Sequence, residues 1–287
     1  MVNFPDLKPM ELKDKPLFDS FLRQHPAQIS EMTFTNLFCW RLTKNHEFAV
    51  YKNHLVVSFS ENGMRMFYQP IGHQPARIIE EILGEIPGSS FKRVEGGIAE
   101  KLKGRFTVTE DRDMADYVYI VSDMRELPGD KYSQKRNFIR RFSSYNPATC
   151  ALDVSTAKGF LGMQERWCNI RHCETDKSMN AENIAVKECL NNFKVLGVHG
   201  ICIRVYGRME GFAIGESLNP NTFVEHFEKA NTEFTGIYQY TVKELAKSIP
   251  AEFEFLNREQ DLGVDGLRKA KLSYHPTKLV EKFSISR

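Results

Sequence analysis

Residues 201–218 read Ile-Cys-Ile-Arg-Val-Tyr-Gly-Arg-Met-Glu-Gly-Phe-Ala-Ile-Gly-Glu-Ser-Leu, and this segment indicates the fold most clearly. Apolar and polar side chains alternate over 201–205, a glycine-bearing turn follows, and an apolar run returns, which predicts two strands joined by a turn. Upstream of this pair, the same reasoning predicts a strand over 149–154 and helices over 158–171 and 181–196. Downstream it predicts a strand over 223–230, a helix over 236–247, a strand over 252–256, a helix over 264–274 and a strand over 279–285.

A similar order precedes this half of the chain. Helical periodicity over 12–22 and 32–42 is followed by strand patterns, with Asn62-Gly63 as a hairpin turn between two of them. The remaining predicted elements are a helix over 76–86, a strand over 91–94, a helix over 98–103 and a strand over 117–121. We therefore predict two mixed α/β domains, 1–127 and 147–287, joined by a basic linker helix within 128–146.

Composition limits the class of protein. The chain has 287 residues, 41% of them hydrophobic and 26% charged, which is enough apolar material for two buried cores. No stretch approaches the roughly 20 apolar residues of a membrane span, and the first residues lack a secretory signal pattern, so we expect a cytoplasmic protein. The net charge of +2 gives no global attraction for polyanions, so an anionic partner needs a local basic patch.

The six cysteines show no framework spacing, and reduced thiols are the expectation for a cytoplasmic chain. Cys168, His172 and Cys173 would form one corner of a metal site if their segment is helical. No second pair of residues has ligand spacing, so we predict no metal.

Two segments carry a resemblance to a known family. Residues 127–142 read Leu-Pro-Gly-Asp-Lys-Tyr-Ser-Gln-Lys-Arg-Asn-Phe-Ile-Arg-Arg-Phe, and residues 257–271 read Asn-Arg-Glu-Gln-Asp-Leu-Gly-Val-Asp-Gly-Leu-Arg-Lys-Ala-Lys. Both are similar to blocks of a bacterial family of unknown function that is grouped with the C-terminal domain of phosphatidylglycerol lysyltransferases. The element order also resembles that of the GNAT acyltransferase fold.

The resemblance implies an α/β protein with two tandem GNAT-like domains. The wider relatives, which include Fem-type peptidyltransferases, move an amino acid from aminoacyl-tRNA to an amine or hydroxyl. The resemblance therefore implies that the donor is an aminoacyl-tRNA or another phosphate-bearing molecule. It also implies that the acceptor is a small molecule or a peptide. The chain differs from the lysyltransferases in lacking their membrane-embedded N-terminal portion, so we expect no integral membrane contact.

GNAT enzymes that use acetyl-CoA hold its pyrophosphate on a glycine-rich loop at a helix start, where backbone N–H groups approach the phosphates closely. The corresponding segments here, 70–76 and 230–237, contain one glycine each. We therefore expect no CoA cofactor.

The linker helix carries a basic face. Clustered lysine and arginine side chains are suited to phosphate, although a solvated face on an amphipathic connector would explain the same pattern. Lys135 falls toward the apolar side of this helix, where it must extend to solvent or meet an anion. The candidate donor-binding residues are Lys131, Lys135, Arg136, Asn137 and Arg140.

The block after the predicted strand 252–256 is rich in charged groups at a strand end, a common position for binding sites in α/β folds. In the predicted helix that follows, Arg268 and Lys271 project among the residues of the predicted buried face, which are Val264, Leu267, Ala270 and Tyr274. Buried cations require partners, so either a structural ion-pair network or a bound anionic group would explain them. The candidate substrate-binding residues are Asn257, Arg258, Glu259, Asp261, Arg268 and Lys271.

Acyl transfer to an amine requires a proton acceptor near the attacking group. The predicted central strands supply Glu216, His226 and Glu228 as candidates, although each is also an ordinary strand residue. We favour an acyl or aminoacyl transferase. The alternatives are an N-acetyltransferase with an atypical acyl-CoA site and a non-catalytic module that binds a ligand.

Overall fold

The computed structural model describes residues 4–287, and over this range the chain forms ten α-helices and fourteen β-strands. The helices are α1 (Lys15–Gln24), α2 (Phe34–Lys44), α3 (Pro75–Glu85), α4 (Gly96–Ala99), α5 (Val121–Glu126), α6 (Ser133–Ser143), α7 (Ala157–Arg171), α8 (Lys177–Leu196), α9 (Ile237–Ser248) and α10 (Asp265–Leu272). The strands are β1 (Lys8–Pro9), β2 (Glu47–Tyr51), β3 (His54–Glu61), β4 (Met64–Tyr68), β5 (Phe91–Glu95), β6 (Thr107–Glu110), β7 (Asp116–Ile120), β8 (Ala148–Ala151), β9 (His199–Val205), β10 (Arg208–Asn219), β11 (Thr222–Ala230), β12 (Phe255–Asn257), β13 (Lys278–Val280) and β14 (Lys282–Ser286). No helix within residues 4–287 has the length and apolar character to cross a bilayer.

The first sheet has seven strands in the order β1-β2-β3-β4-β5-β14-β6. Strands β2, β3 and β4 form an antiparallel meander, and β5 then pairs parallel to β4. Asn62 and Gly63 both have positive φ, 52° and 76°, which confirms the predicted hairpin turn between β3 and β4. The apolar side of α3 is buried in one hydrophobic core with β4, β5 and β14, since Ile79, Ile82 and Phe91 are all fully buried.

A buried ion network stabilises the position of β14, the last strand of the chain, in this sheet. Lys282 of β14 is fully buried, and its Nζ lies 2.6 Å from both Asp116 Oδ1 and Glu31 Oε2. Burial alone would lower the pKa of Lys282, but the two carboxylates outweigh it and raise the pKa, so the ammonium stays charged. The three charged side chains thereby connect three distant parts of the sequence.

The second sheet also has seven strands, in the order β13-β7-β12-β11-β10-β9-β8. Strands β9, β10 and β11 form an antiparallel meander, and β12 pairs parallel to β11. Helix α9 buries Ile237, Val242 and Leu245. On α7, the Phe160 ring packs 5.3 Å from that of Phe212 in β10.

Each sheet thus has a meander followed by a helix and a parallel strand. The chain is a mixed α/β protein with two GNAT-like sheets, which confirms the predicted fold class.

The compact units of the structure are not contiguous in sequence. One unit contains residues up to Tyr117, Glu259–Lys269 and Leu279–Arg287, and the other contains Val118–Arg258 and Ala270–Lys278. We call these the first and the second unit. The predicted ranges 1–127 and 147–287 differ from them, because β14 joins the first sheet and β7 joins the second.

Two local predictions are wrong. The single strand predicted over 279–285 is two strands that belong to different sheets. The apolar face predicted for the helix over 264–274 is not buried as a whole, because Val264 is 54% and Leu267 38% exposed, whereas Tyr274 is buried. Helical periodicity shows that apolar residues share a face, but it does not show that another element covers that face.

The cysteines also differ from expectation. Four of them form two disulfides with Cα–Cα separations of 5.1 and 5.0 Å, a spacing that disulfides require. The pairs are Cys150–Cys202 and Cys168–Cys173, while Cys39 and Cys189 are buried and lie outside these disulfides.

Candidate functional site

A β-bulge in β11 shapes the candidate site of the second unit. The β10–β11 register pairs Ile214 with Phe227 and Gly215 with Glu225, so His226 is an extra residue in β11. Side chains three residues apart in a regular strand point to opposite faces, whereas one extra residue returns them to the same face. The bulge therefore brings the Glu225 and Glu228 carboxylates to the same side of the sheet.

The two carboxylates lie where β11 and β12 separate. The strands pair in parallel from Thr222↔Phe255 to Val224↔Asn257, and β12 ends at Asn257. From Glu225 onward, β11 continues beyond its pairing with β12. Such an opening at the carboxyl end of a parallel pair is a frequent place for ligands in α/β proteins.

Arg258, which follows β12 directly, bridges the two carboxylates. Its Nε donates to Glu225 Oε2 at 2.5 Å and its Nη2 donates to Glu228 Oε2 at 2.6 Å. The rings of Tyr274 and Tyr119 flank the guanidinium, with centroids at 5.3 and 5.9 Å. We call Glu225, Glu228 and Arg258 the carboxylate cluster.

Each carboxylate of this cluster retains one oxygen without a protein donor. Oε1 of Glu225 and Oε1 of Glu228 are both buried, and neither has a hydrogen-bond partner among the described residues. A buried acceptor without a donor costs about 1–3 kcal/mol. The arrangement is therefore complementary to a ligand that brings N–H or O–H donors, and above all to an ammonium group.

The electrostatics distinguish the members of the cluster. Burial, together with the charge of Glu225, raises the pKa of Glu228 to about 8 despite the opposing effect of Arg258. Burial lowers the pKa of Arg258, but the two carboxylates outweigh it and raise the pKa, so its charge is permanent. A carboxyl group that titrates near neutral pH is suited to taking up and releasing a proton.

Two lysines lie close to the cluster and are held by the protein. Lys271 Nζ donates to the backbone carbonyl of Arg258. Lys135 Nζ donates to Ser273 Oγ at 2.6 Å and lies 4.1 Å from the centroid of the Tyr274 ring. Burial, with a smaller contribution from the charge of Arg258, lowers the pKa of Lys135.

The three predicted catalytic residues occupy two different places. Glu228 belongs to the carboxylate cluster. His226 and Glu216 form their own pair, with His226 Nε2 at 3.0 Å from Glu216 Oε1 and the His226 side chain only 1% exposed. Glu225, which sequence reasoning missed, is the residue that joins Glu228 at Arg258.

The predicted substrate-binding block is divided between the units. Asn257, Arg258 and Lys271 belong to the second unit, whereas Glu259, Asp261 and Arg268 belong to the first.

In the first unit, Arg268 forms a bidentate pair with Asp261, from Nε to Oδ2 at 2.8 Å and from Nη2 to Oδ1 at 2.9 Å. Burial would raise the pKa of Asp261, but bonds from Arg268, Tyr117 and the Gly263 N–H lower it well below its usual range. Arg268 Nη2 also reaches Asp113 Oδ1 at 2.6 Å. Of the two explanations given for Arg268, a structural ion-pair network or a bound anionic group, these contacts correspond to the first. Glu259 accepts a bond from Asn36 Nδ2 at 3.2 Å.

The predicted basic helix is α6 with the turn before it, and its cations have different environments. Arg136 Nη1 donates to the carbonyls of Leu127 and Gly129, both at 2.6 Å, and so holds the preceding turn. Lys131 lies 3.5 Å from an Asp123 oxygen. Arg140 Nη2 donates to Asn137 Oδ1 at 2.9 Å on the exposed face.

No group of three or more histidine, cysteine, aspartate or glutamate side chains within residues 4–287 has the arrangement of a metal site. The carboxylate cluster contains two carboxylates and a guanidinium, a set suited to ammonium and proton chemistry.

Comparison with known proteins gives the family. The family model described as phosphatidylglycerol lysyltransferase, C-terminal, matches residues 22–286. A conserved protein of unknown function from Bacteroides thetaiotaomicron VPI-5482 is similar at 31% identity and a TM-score of 0.90, covering 99% of each chain. L-PGS from Bacillus licheniformis is similar in fold at 12% identity and a TM-score of 0.65, covering 98% of this chain and 92% of its own.

The fold is also similar to that of FemX, at 10% identity and a TM-score of 0.57, covering 97% of this chain and 96% of FemX. No curated protein matched the sequence. Because the family match extends over nearly all of the 287 residues, this chain belongs to the phosphatidylglycerol lysyltransferase C-terminal family.

Proposed function

We propose that this protein is an aminoacyl transferase that moves an amino acid from a phosphate-bearing donor, such as aminoacyl-tRNA, to an amine or hydroxyl of an acceptor. The observation that carries the proposal is the pair of buried carboxylate oxygens, Glu225 Oε1 and Glu228 Oε1, without protein donors. An aminoacyl ester has a free ammonium group and no free carboxylate, so it is attracted to carboxylates. Family membership and the family's printed name support the same class of reaction.

In the proposed reaction, the acceptor amine or hydroxyl attacks the carbonyl carbon of the aminoacyl ester. A new C–N or C–O bond forms, and the ester C–O bond to the donor breaks. Glu228, with its pKa near 8, takes the proton from the attacking group and returns it to the leaving oxygen of the donor. Glu225 binds the ammonium, and Arg258 holds both carboxylates in place.

The donor-binding and acceptor-binding roles of the other predicted residues remain part of the proposal. Within the second unit, Lys271 contacts the backbone of Arg258, and Lys135 contacts the ring of Tyr274. The exposed cations of α6, such as Arg140, are the candidates for donor phosphates.

The test is a transfer assay with radiolabelled aminoacyl-tRNA and a panel of acceptors: phosphatidylglycerol vesicles, small amines, and peptides with free amino groups. We expect Glu228→Gln to lower kcat by about 10²–10⁴, the usual contribution of a general acid or base. Glu225→Gln should mainly raise KM for the donor. Glu252→Gln makes the same chemical change at an exposed residue and should leave transfer unchanged.

Transfer from acetyl-CoA alone, in the same assay, would establish the N-acetyltransferase alternative instead. Binding of an aminoacyl ester without turnover for any acceptor would indicate a ligand-binding module. If Glu225→Gln and Glu228→Gln both transfer at the wild-type rate, the carboxylate cluster takes no part in the reaction.

A further inference from the structure

The sheet of the second unit has two faces at β11, and the carboxylate cluster lies on one of them. Residues directly opposite each other in an antiparallel pair place their side chains on the same face of the sheet. Glu225 lies opposite Gly215, and Glu228 lies opposite Ala213. Because Gly215 and Ala213 are two residues apart in β10, both carboxylates lie on one face, which we call the front face. We call the other face of this sheet the back face.

Lys229 follows Glu228 directly and lies on the back face. It is opposite Phe212 of β10. The Phe212 ring packs 5.3 Å from that of Phe160 in α7, so the back face is the face that α7 covers. Lys229 is 6% exposed there. Since burial of an ammonium group is unfavourable unless it is paired, the partners of Lys229 are what keep it in this position.

Two contacts hold the Lys229 ammonium on the back face. Its Nζ lies 2.6 Å from Glu182 Oε2 of α8 and 4.3 Å from the centroid of the Trp167 ring of α7. The Lys229 side chain is shielded from water, and both kinds of contact are stronger where the cation is desolvated. Lys229 thereby attaches β11 to two helices.

The bulge in β11 has a regular alternative. If β11 kept its pairing at Glu225 and continued without an extra residue, every later residue would move by one position relative to β10. A shift by one residue exchanges the two faces of a strand. Glu228 would then turn to the back face, away from Glu225. Lys229 would turn to the front face and lose both of its contacts.

The two parts of β11 are therefore held separately. Before the bulge, β11 pairs with β12 from Thr222 to Val224. After the bulge, Lys229 holds the strand on the back face. Gly215 allows the two strands to approach between these points, because a Cβ there would lie 2.1 Å from the carbonyl oxygen of Val224. With both parts held, one extra residue remains between them.

We infer that Lys229 and Glu182 are positioning residues for the carboxylate cluster. Their ion pair on the back face retains the bulge, and the bulge keeps Glu225 and Glu228 together on the front face. In this role they act through the strand and not by contact with a substrate. The inference rests on the proposed function only where Glu228 acts as the proton carrier.

The coupling between the charges of Glu225 and Glu228 reports whether the two side chains lie together. Burial raises the pKa of Glu228 most, and the charge of Glu225 raises it further. Glu225→Gln removes this charge, so the pKa of Glu228 should fall by about one unit or more while the side chains are neighbours. If the bulge is lost, Glu228 lies on the other face, and Glu225→Gln should have little effect on its pKa.

This coupling also separates a positioning role of Lys229 from an effect of its charge. The nearby cations, which lower the pKa of Glu228, are Arg258, Lys271 and Lys229. Removing the charge of Lys229 alone would raise the pKa of Glu228 but would leave its coupling to Glu225 intact. A loss of coupling therefore indicates a change in position.

The test measures the pKa of Glu228 by urea unfolding from about pH 5 to pH 9. The pKa is taken from the pH at which the free energy of unfolding of Glu228→Gln, minus that of its parent, stops rising. The measurement is made with and without Glu225→Gln, in the wild-type protein and in Lys229→Met. We expect Glu225→Gln to lower this pH by about one unit or more in the wild-type protein, and by less than about a third of that in Lys229→Met.

Lys8→Met is the matched control. Lys8 Nζ lies 2.5 Å from Asp14 Oδ1 and 4.8 Å from the centroid of the Phe48 ring, which are the same two kinds of contact in the first unit. Lys229→Arg keeps a cation at the original position. In both variants, Glu225→Gln should have its full wild-type effect.

An equal effect of Glu225→Gln in Lys229→Met and in the wild-type protein would overturn the inference, and so would the absence of any effect in the wild-type protein. If Lys229→Met does not fold, Glu182→Ala removes the partner from the more exposed end of the ion pair, and the same loss of coupling is expected. If the coupling is lost as expected but the wild-type protein transfers no amino acid, the positioning role stands and the proposed function fails. If transfer depends on Glu228 but the coupling persists in Lys229→Met, the proposed function stands and the positioning role fails.

Discussion

Replacing Glu228 by glutamine should change how stability depends on pH. The folded protein raises the pKa of this carboxyl from 4.5 to about 8, mainly by burial. Because the folded chain then binds the proton more tightly than the unfolded chain, the contribution of Glu228 to stability is fully present below about pH 4.5. It is lost progressively as the pH rises through about 8.

The magnitude follows from the two pKa values. Between them, the free energy of unfolding falls by about 1.4 kcal/mol per pH unit on account of this group, and by about 5 kcal/mol in total. Glutamine has nearly the same shape and does not titrate, so Glu228→Gln removes this loss. The free energy of unfolding of the variant, minus that of the wild type, should therefore increase with pH over this range and then become constant.

Urea unfolding monitored by circular dichroism from about pH 5 to pH 9 measures this difference. Glu252→Gln serves as the control, because Glu252 is exposed. Its difference from wild type should not vary with pH. If the Glu228→Gln difference is equally flat, Glu228 has an ordinary pKa in the folded protein, and its assignment as proton carrier is refuted.

Three further predictions concern the fold. Lys282→Met should lower the free energy of unfolding by about 3–5 kcal/mol in urea titrations, because it removes the buried cation that Asp116 and Glu31 share. Gly236→Ala should be destabilising, because a Cβ there would lie 2.3 Å from the carbonyl oxygen of Phe138; Gly104→Ala, with a similar positive φ and open space, should cost less in the same measurement. Arg268→Ala should make the chain unfold at a higher pH in an acid titration. The Arg268–Asp261 pair stabilises the fold at neutral pH, and the Asp261 carboxylate takes up a proton only in strong acid while Arg268 is present.

The local elements were predictable because the period at which apolar residues recur distinguishes helices from strands. The predicted helix over 236–247 corresponds to α9, and the Asn62-Gly63 turn lies where the sequence indicated. The assignment of strands to sheets was not predictable in this way. β7 and β14 have ordinary strand patterns, and which sheet each joins is decided by distant partners, such as the carboxylates around Lys282.

The candidate site was predictable in part for a similar reason. The charged block at the end of a predicted strand indicated Arg258, a cation on the apolar face of a predicted helix indicated Lys271, and strand position indicated Glu228. Glu225 was missed, because in a regular strand it would face away from Glu228, and the bulge at His226 changes that. Since a bulge is a property of the pairing between strands, the sequence of β11 alone does not reveal it.

In the proposed function, the carboxylate cluster binds the free amino group of the donated amino acid. The most direct test compares transfer from aminoacyl-tRNA with transfer from the same preparation after N-acetylation of the amino group. Acetylation removes the ammonium charge and leaves the ester and the RNA unchanged. We expect the wild-type protein to transfer the free amino acid at least about a hundredfold faster, a difference of about 2.7 kcal/mol. Equal rates for the two donors would contradict it.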